Sequence, residues 1–319
     1  MIKLKNLSAL ILFAFCSIAH AQTYPAKAIK IVVPYTPGGG ADITTRIVAE
    51  QLSTRLKQPV VVENRPGAGG NIAHDLIAKA TPDGYTLMIA GMSLVTNRFT
   101  QESLPYDPLK DFTPITLAVR VPNILAVNNN VPVKNLKELI AVAKAKPGEL
   151  AYASAGNGTS LHLAAELLQS MAQIRLNHVP YKGSGPAEVD LISGQVEIIF
   201  DPIASALPHI RAGKMRALAI TTAQRSTLLP SLPTMAEGGL PGYDSAAWFG
   251  FFAPAKTPVA IIEKLNKEIV AILKQKTVQE RLAGLGVECI GTPIKDLETL
   301  MRTDSVKWEK VFRNAVSKN

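Results

Sequence analysis

Apolar residues in this chain gather into short runs that stop at glycine and proline, and apolar positions then return at helical spacing. The leading case covers residues 29–56, IKIVVPYTPGGGADITTRIVAEQLSTRL. Residues 29–35 are apolar and β-branched over a strand's length. Pro37, Gly38, Gly39 and Gly40 interrupt the run. Ile43, Ile47, Val48 and Leu52 follow at helical spacing with polar residues between them. The pattern predicts strand, glycine turn and helix in that order.

The same order recurs downstream. Strands are predicted over 59–63 and 85–90, a helix over 72–80, and turns at 64–71 and 81–84. Connections this short between β-α-β-α-β elements predict a parallel sheet. Ligands of such sheets sit beyond the carboxyl ends of the strands. The glycines at 38–40 and 67–70 and the turn at 91–93 all fall at those ends. After an irregular stretch, 115–119 and 123–127 read as extended segments, and the first crossing between lobes is expected near 113–122. Asn135 is placed to cap a helix over 136–145, which Pro147 and Gly148 end. A strand at 150–153 feeds the loop Ser154-Ala155-Gly156-Asn157-Gly158-Thr159-Ser160 and a helix over 161–171. Then come an extended 177–180, a turn with Tyr181, Lys182, Gly183 and Ser184, and a helix over 187–193. A strand over 196–200 ends at Asp201-Pro202, a helix runs on to 212, and 215–221 reads as another strand. Residues 222–246 are rich in proline and glycine and are expected to form part of the return crossing. A strand at 248–253 and helices over 259–274, 277–284 and 294–317 complete the chain.

Composition narrows the class. With 319 residues and 47% hydrophobic content, a large core and two lobes are expected. Aromatic residues make up only 6%, which argues against a stacking platform for nucleic acid. Residues 1–21 read as an export signal: Lys3 and Lys5, a short apolar core over 7–18, and the small-residue site Ala19-His20-Ala21, with cleavage after Ala21. The remaining chain carries 32 basic and 25 acidic residues, a net charge of +7. These charges are scattered, as on a solvated surface, and their mild positive field favours anionic solutes. One cysteine, Cys289, remains after the signal, so no internal disulfide is possible, and its short apolar setting predicts a buried, inert thiol.

Candidate chemistry lies in the glycine turns. Gly38, Gly39 and Gly40 leave the backbone without Cβ, so a ligand can approach its N–H groups. Those N–H groups open a helix, where the dipole adds about half a positive charge. A carboxylate is the simplest guest. Tight turning accounts for the glycines equally well. No Lys-Ser/Thr follows them and no G-x-G-x-x-G is present, which disfavours nucleotide binding. In the second half, Ser154, Thr159 and Ser160 add hydroxyls that can donate to a carboxylate. Asp42 reads either as a pocket group or as a favourable acid in a helix's first turn. Asp201 reads as a pocket group or as a cap for the next helix, and an ionised carboxylate there would repel an anionic ligand unless water, a cation or a ligand amine intervened. Lys182 supplies a cation to the site or is a solvated turn lysine. His74, His178 and His209 read as surface or packed histidines, whereas His162 either touches ligand or holds its loop. Ser160 and His162 sit too close on one helix for a nucleophile and its base. No G-x-S-x-G, H-E-x-x-H or Cys/His cluster suggests hydrolysis or a metal.

Several stretches together resemble the extracytoplasmic solute receptors of the tripartite tricarboxylate transporter family, the Bug proteins. They are YPAKAIKIVVPYTPGGGADITTR, VVVENRPGAGGNIA, ATPDGYTLMIA, LAYASAGNGTSLHLAAELL, VPYKGSGPA, FDP at 200–202, MRALAITTAQRS, LPTMAEGGLPGY and WFGFFAPAKTP, in the family's order. The resemblance implies a two-lobed α/β periplasmic binding protein of type II, closing like a Venus flytrap on a small organic anion in the cleft between its lobes. It implies delivery to two membrane permease subunits, with no enzymatic activity, cofactor, metal or nucleic acid. By matching position, Tyr35, Thr36, Pro37, Gly39, Gly40 and Asp42 form one wall. Ser154, Gly156, Asn157, Gly158, Thr159, Ser160 and His162 form the other. Met92, Ser93, Tyr181, Lys182, Gly183, Ser184 and Asp201 line the rest. The family's ligands are di- and tricarboxylates, aromatic carboxylates and amino-acid-like acids, and pocket positions such as Met92 and Phe249 do not specify which one. A monomer is expected, with a signal at 1–21, lobe 1 at 22–115 and 225–319, and lobe 2 at 116–224. A periplasmic ligand sensor docking on a signalling receptor would share the pocket, and a hydrolase is the reading from another class.

Overall fold

The computed structural model describes residues 24–316 except 100, 102 and 182. The expected export signal and Lys182 lie outside the described residues. Strand β1 (Ile29–Val33) leads through the glycine turn into helix α1 (Gly40–Leu56). Strand β2 (Val60–Asn64), helix α2 (Asn71–Ala78), strand β3 (Thr86–Gly91) and a single helical turn α3 (Ser93–Thr96) follow. Both β2 and β3 pair with β1 in parallel, as the alternating pattern predicts.

Strand β4 (Phe112–Val127) departs from the sequence reading. The two extended segments at 115–119 and 123–127 are one strand of 16 residues with two irregularities in its register. Pro122 interrupts the sequence pattern but not the strand, because it lies where β4 changes partners and its missing N–H breaks no continuous ladder. Helix α4 (Leu136–Ala145) starts at Asn135, whose side chain accepts from the Glu138 N–H at 3.0 Å. Glu138 accepts in return from the Lys134 N–H at 2.6 Å.

The second half continues with β5 (Ala151–Ser154), α5 (Ser160–Ala172), β6 (Asn177–Pro180), α6 (Ser184–Ser193), β7 (Ile198–Pro202), α7 (Ile203–Arg211) and β8 (Arg216–Ile220). Strands β6 and β7 flank β5 in parallel. The chain returns along β9 (Ala246–Pro254) and ends in α8 (Val259–Leu273), α9 (Lys276–Ala283), β10 (Glu288–Cys289) and α10 (Ile294–Val316). Strand order runs β2-β1-β3-β9-β4-β7-β5-β6, with β8 and β10 also on β4. The first part of β4 pairs with β9, and its last residues pair with β7 and β8. One strand therefore belongs to both sheets, and β9 runs antiparallel between β3 and β4.

Apolar faces cover both sheets. Ile47, Val48 and Leu52 of α1 pack with Ile262, Leu265 and Ile269 of α8 against one face of the first sheet. Ala73 and Ile77 of α2 and Leu297, Met301 and Trp308 of α10 cover the other face. That second cluster continues into α5 through Leu161, Ala164 and Leu168, so α10 and α5 share a core across the two halves. Among the described residues no helix is long and apolar enough to cross a membrane.

Candidate functional site

The first glycine turn is held by a carboxylate. Asp42 is 3% exposed and accepts from the Gly38 N–H at 2.9 Å and from the Arg46 Nε at 3.0 and 3.1 Å. Asn64, at the end of β2, donates to Asp42 Oδ1 at 2.9 Å and to the Tyr35 carbonyl at 3.1 Å. Burial pushes the Asp42 carboxyl up, but the bonds from Arg46, Gly38 and Asn64 outweigh it and hold the group below the usual aspartate range. The side chain is therefore fully engaged in bracing its own turn.

The second glycine turn is held by neutral rings. His162 stacks on His178 with centroids 4.4 Å apart and planes 10° apart, and His178 stacks on Tyr152 at 4.7 Å. His162 Nδ1 accepts from the Gly158 N–H at 3.1 Å, which puts its proton on Nε2. His178 Nε2 lies 2.7 Å from Ser154 Oγ, and that oxygen also accepts from the Gly156 N–H at 3.2 Å. Burial lowers both imidazoles to about 4, and the neighbouring His162 adds to the effect at His178. Thr159 closes the turn: its hydroxyl donates to the Gly156 carbonyl at 2.7 Å and accepts from the His162 N–H at 3.4 Å. The N–H groups of Ser160 and Leu161 open α5 with no acceptor among the described residues.

Between these turns lies a cleft of about 670 Å³. Lobe 1 contributes Pro34, Tyr35 and Thr36 after β1, the 66–70 turn, and Met92, Ser93, Asn97 and Gln101. Lobe 2 contributes Asn157, Gly158, Thr159 and Ser160. Ala247, Trp248 and Phe249 of β9 form the floor. No described lining residue carries a charged side chain, and the described residues form no cluster that could hold a metal ion.

Nine residues singled out in the sequence meet in this cleft: Tyr35, Thr36, Met92, Ser93, Asn157, Gly158, Thr159, Ser160 and Phe249. Others stand behind or away from it. Pro37 and Gly39 are exposed beside it, and a Cβ at Gly40 would lie 3.7 to 4.0 Å from Val121, Val287 and Phe249. The wall nearest the cleft is thus 34–36, one step before the glycines. Asp42, Ser154, Gly156 and His162 brace the turns from behind. Tyr181 donates to Asp190 Oδ2 at 2.7 Å, and Gly183 and Ser184 open α6 outside the cleft. Asp201 is wholly buried, with neither oxygen hydrogen-bonded to a described residue. Burial first, and then the nearby Glu188, push its carboxyl up to about 9 against a smaller opposing pull from Ser184, so the group is neutral at pH 7. It caps no helix either: α7 starts at Pro202 without a side-chain cap. The half-buried Cys289 thiol, raised to about 11 by burial, remains protonated.

The structure adds residues that sequence reasoning left out. The 66–70 turn, a glycine cluster at a ligand-facing strand end in the sequence, joins the cleft wall together with Asn97. Asn97 holds it, donating to the Gly69 carbonyl at 3.0 Å and to Asn71 Oδ1 at 2.6 Å. Tyr106 donates to the same Asn71 oxygen at 2.6 Å and lies 3.0 Å from His74 Nδ1, an imidazole that burial keeps neutral with a value of about 3. His178 reads in sequence as an isolated histidine, and only the β5–β6 pairing, which sets Tyr152 opposite it, carries it under the second turn.

Two α/β lobes, shared strands and a solute-sized cleft between glycine turns define the class: a two-lobed solute-binding protein. The chain belongs to the TctC family, described as the tripartite tricarboxylate transporter family receptor, whose profile matches residues 44–316. Proteins of this family are periplasmic. The chain is 40% identical over 300 residues to BugT of Bordetella pertussis, spanning 93% of this chain and 92% of that protein. Its structure is similar to that of R. palustris Rpa4515 with adipate, at TM-score 0.78 and 38% identity, covering 92% and 98% of the two chains. It is also similar to MatC of Rhodopseudomonas palustris with bound malate, at TM-score 0.75 and 34% identity, covering 91% and 100%.

Proposed function

We propose that this protein captures a small organic carboxylate in the cleft and delivers it to the two permease subunits of a tripartite transporter. The observation that carries this reading is the pair of N–H groups at Ser160 and Leu161, which have no acceptor among the described residues and open α5 at the edge of a cleft whose described lining is uncharged. Helix-start N–H groups favour an anion without a cationic side chain. Thr159 and Ser160 add hydroxyls, and the 34–36 wall meets the ligand from the other lobe. A ligand touching both walls stabilises the closed arrangement by its differential affinity. Relatives solved with adipate and malate support carboxylates as the class. In this reading residues 1–21 direct export and are cleaved after Ala21, and the mature chain works as a monomer. Lobe 1 comprises 22–115 and 225–319, and lobe 2 comprises 116–224.

The test removes one donor while preserving the helix. Ser160 is the first residue of α5, where proline is well tolerated, and Thr159 at φ −69° and ψ 159° already has the conformation that precedes proline. Ser160→Pro should weaken carboxylate binding at least about tenfold, by roughly 1.4 kcal/mol or more. Its melting temperature without ligand should match the parent, with Ser160→Ala as the control for the hydroxyl. Unchanged affinity in the proline variant overturns this anion site.

A further inference from the structure

We infer that the two lobes part on the α9 face of the shared strands, where Gly286 meets Ala204, and that this pair is the stop that sets how far the cleft closes. This holds whichever solute is bound. Gly286 belongs to lobe 1: it follows α9, its N–H donates to the Ala283 carbonyl at 2.9 Å, and its neighbour Val287 is buried in the first-sheet core with Leu282 and Val119. Ala204 belongs to lobe 2. It lies in the first turn of α7 between Ile203 and Ala206, which are buried in a separate core with Leu191 and Ile199. A Cβ at Gly286 would fall 2.7 Å from the Ala204 Cβ and 3.1 Å from its backbone nitrogen. No side chain fits at 286 with the lobes this close, and its φ of 69° suits glycine as well.

The lobes meet on both faces of the strands, in different ways. On one face Leu161, Ala164 and Leu168 of α5 share a continuous apolar core with Leu297, Met301 and Trp308 of α10. Tyr243 of the return crossing is tied to the same helix, donating to the Ala164 carbonyl at 2.7 Å. Parting these elements would expose that core to water. On the α9 face Gly286 and Ala204 come from different cores, and no hydrogen bond or ion pair among the described residues joins α7 to the 276–291 segment. Beside them runs a groove of about 300 Å³, with 226–228 on one side and Gln279, Ala283 and 286–289 on the other. Leu228 packs on the α7 core, so this groove separates the two lobes as well. Opening there breaks little, and hinged closure needs one side that holds and one that yields.

The stop acts through the population of the closed state. A solute that touches both walls binds the closed arrangement, so a wedge that holds the lobes apart lowers affinity without touching the solute. Gly286 and Ala204 do not line the cleft, which makes them positioning residues. Cys289 lines the groove, is half-buried there, and is the only cysteine in the sequence outside residues 1–21. Its access to a thiol reagent therefore reports the opening.

The test times alkylation of Cys289 by N-ethylmaleimide in the full chain, read by peptide mass spectrometry. Gly286→Ala drives a Cβ into Ala204, and Ala204→Leu adds bulk from the other lobe with no positive φ. Each should speed alkylation at least about fivefold by shifting the population towards the open form. Gly291→Ala is the control: it carries the same left-handed strain at φ 66°, but its Cβ would meet Leu273 of its own lobe at 3.4 Å. Its rate should stay within about twofold of the parent. Ala204→Leu should melt with the parent and leave amide exchange in α5 and α10 unchanged. An Ala204→Leu rate equal to the parent's overturns the stop, as does faster exchange in α5 and α10, which would put the opening on the other face. Should Ala204→Leu fail to fold, equal rates in the two glycine variants overturn it. Slower alkylation of the parent with adipate or malate adds support. No slowing by either acid, with fast wedge variants, leaves the stop standing and counts against carboxylate capture alone.

Discussion

The glycine turns that open α1 and α5 are built alike and braced differently. Each follows a strand and opens a helix, α1 in one lobe and α5 in the other. The first is pinned by an ionised carboxylate shared between Gly38, Arg46 and Asn64. The second rests on two neutral, stacked imidazoles that accept from Gly158 and meet Ser154. A charged brace keeps its hydrogen bonds until acid protonates it, and Asp42 resists protonation. A neutral imidazole brace loses its acceptor as soon as it takes a proton. The same local device therefore has two different acid limits, one per lobe.

Acidification is the largest perturbation of this contrast. The unfolded histidines take up protons near 6.5, whereas His162 and His178 in the fold do so at about 4. Over that window the unfolded chain binds more protons, so stability falls as pH drops from about 6.5 towards 4, and these two groups add no further loss below it. At about 1.4 kcal/mol per unit and ring, reduced by partial exposure, the two together should cost roughly 4 kcal/mol. Glu166 lies 3.8 Å from His162 Nε2 and offsets part of this. Urea denaturation at pH 7 and pH 4 measures the loss. In NMR spectra the Gly158 amide should titrate with a midpoint near the imidazole value while the Gly38 amide stays fixed. Parallel movement of both amides would break the contrast.

Asp42→Ala is the next largest. It leaves Arg46, Asn64 and the Gly38 N–H without their acceptor at a buried position, and should cost about 3 kcal/mol by thermal unfolding at pH 7. The variant should keep the parent's loss of stability on acidification, because the second brace is untouched. A flattened pH profile would show that the turns are not independent. Ser154→Ala is the smallest: losing its bonds to His178 and Gly156 should cost about 1 kcal/mol and raise the ligand Kd a few-fold. An effect as large as that of Asp42→Ala would place more of the second brace in the hydroxyl than in the ring stack.

Elements were legible wherever the signal was local. The strand and glycine turn before α1, the Asn135 cap of α4 and the β-branched runs of β1 and β3 are specified by neighbouring residues, and they form where the pattern puts them. Half of the cleft was legible for the same reason, since Tyr35, Thr36 and 157–160 sit at strand ends of a parallel sheet. The misses were all long-range. Strand β4 reads as two segments because Pro122 breaks the pattern, and it forms one strand because β9, β7 and β8 pair along it in turn.

By itself the sequence determined the order of strands, turns and helices and the glycines that keep the backbone open, because each depends on side chains within a few positions. Tertiary structure alone decided that Asp42 meets Asn64, that His178 slides beneath His162, and that Phe249 reaches the floor against Gly91. Those meetings join residues far apart in the chain, and strand register and close packing, which no local propensity encodes, bring them together.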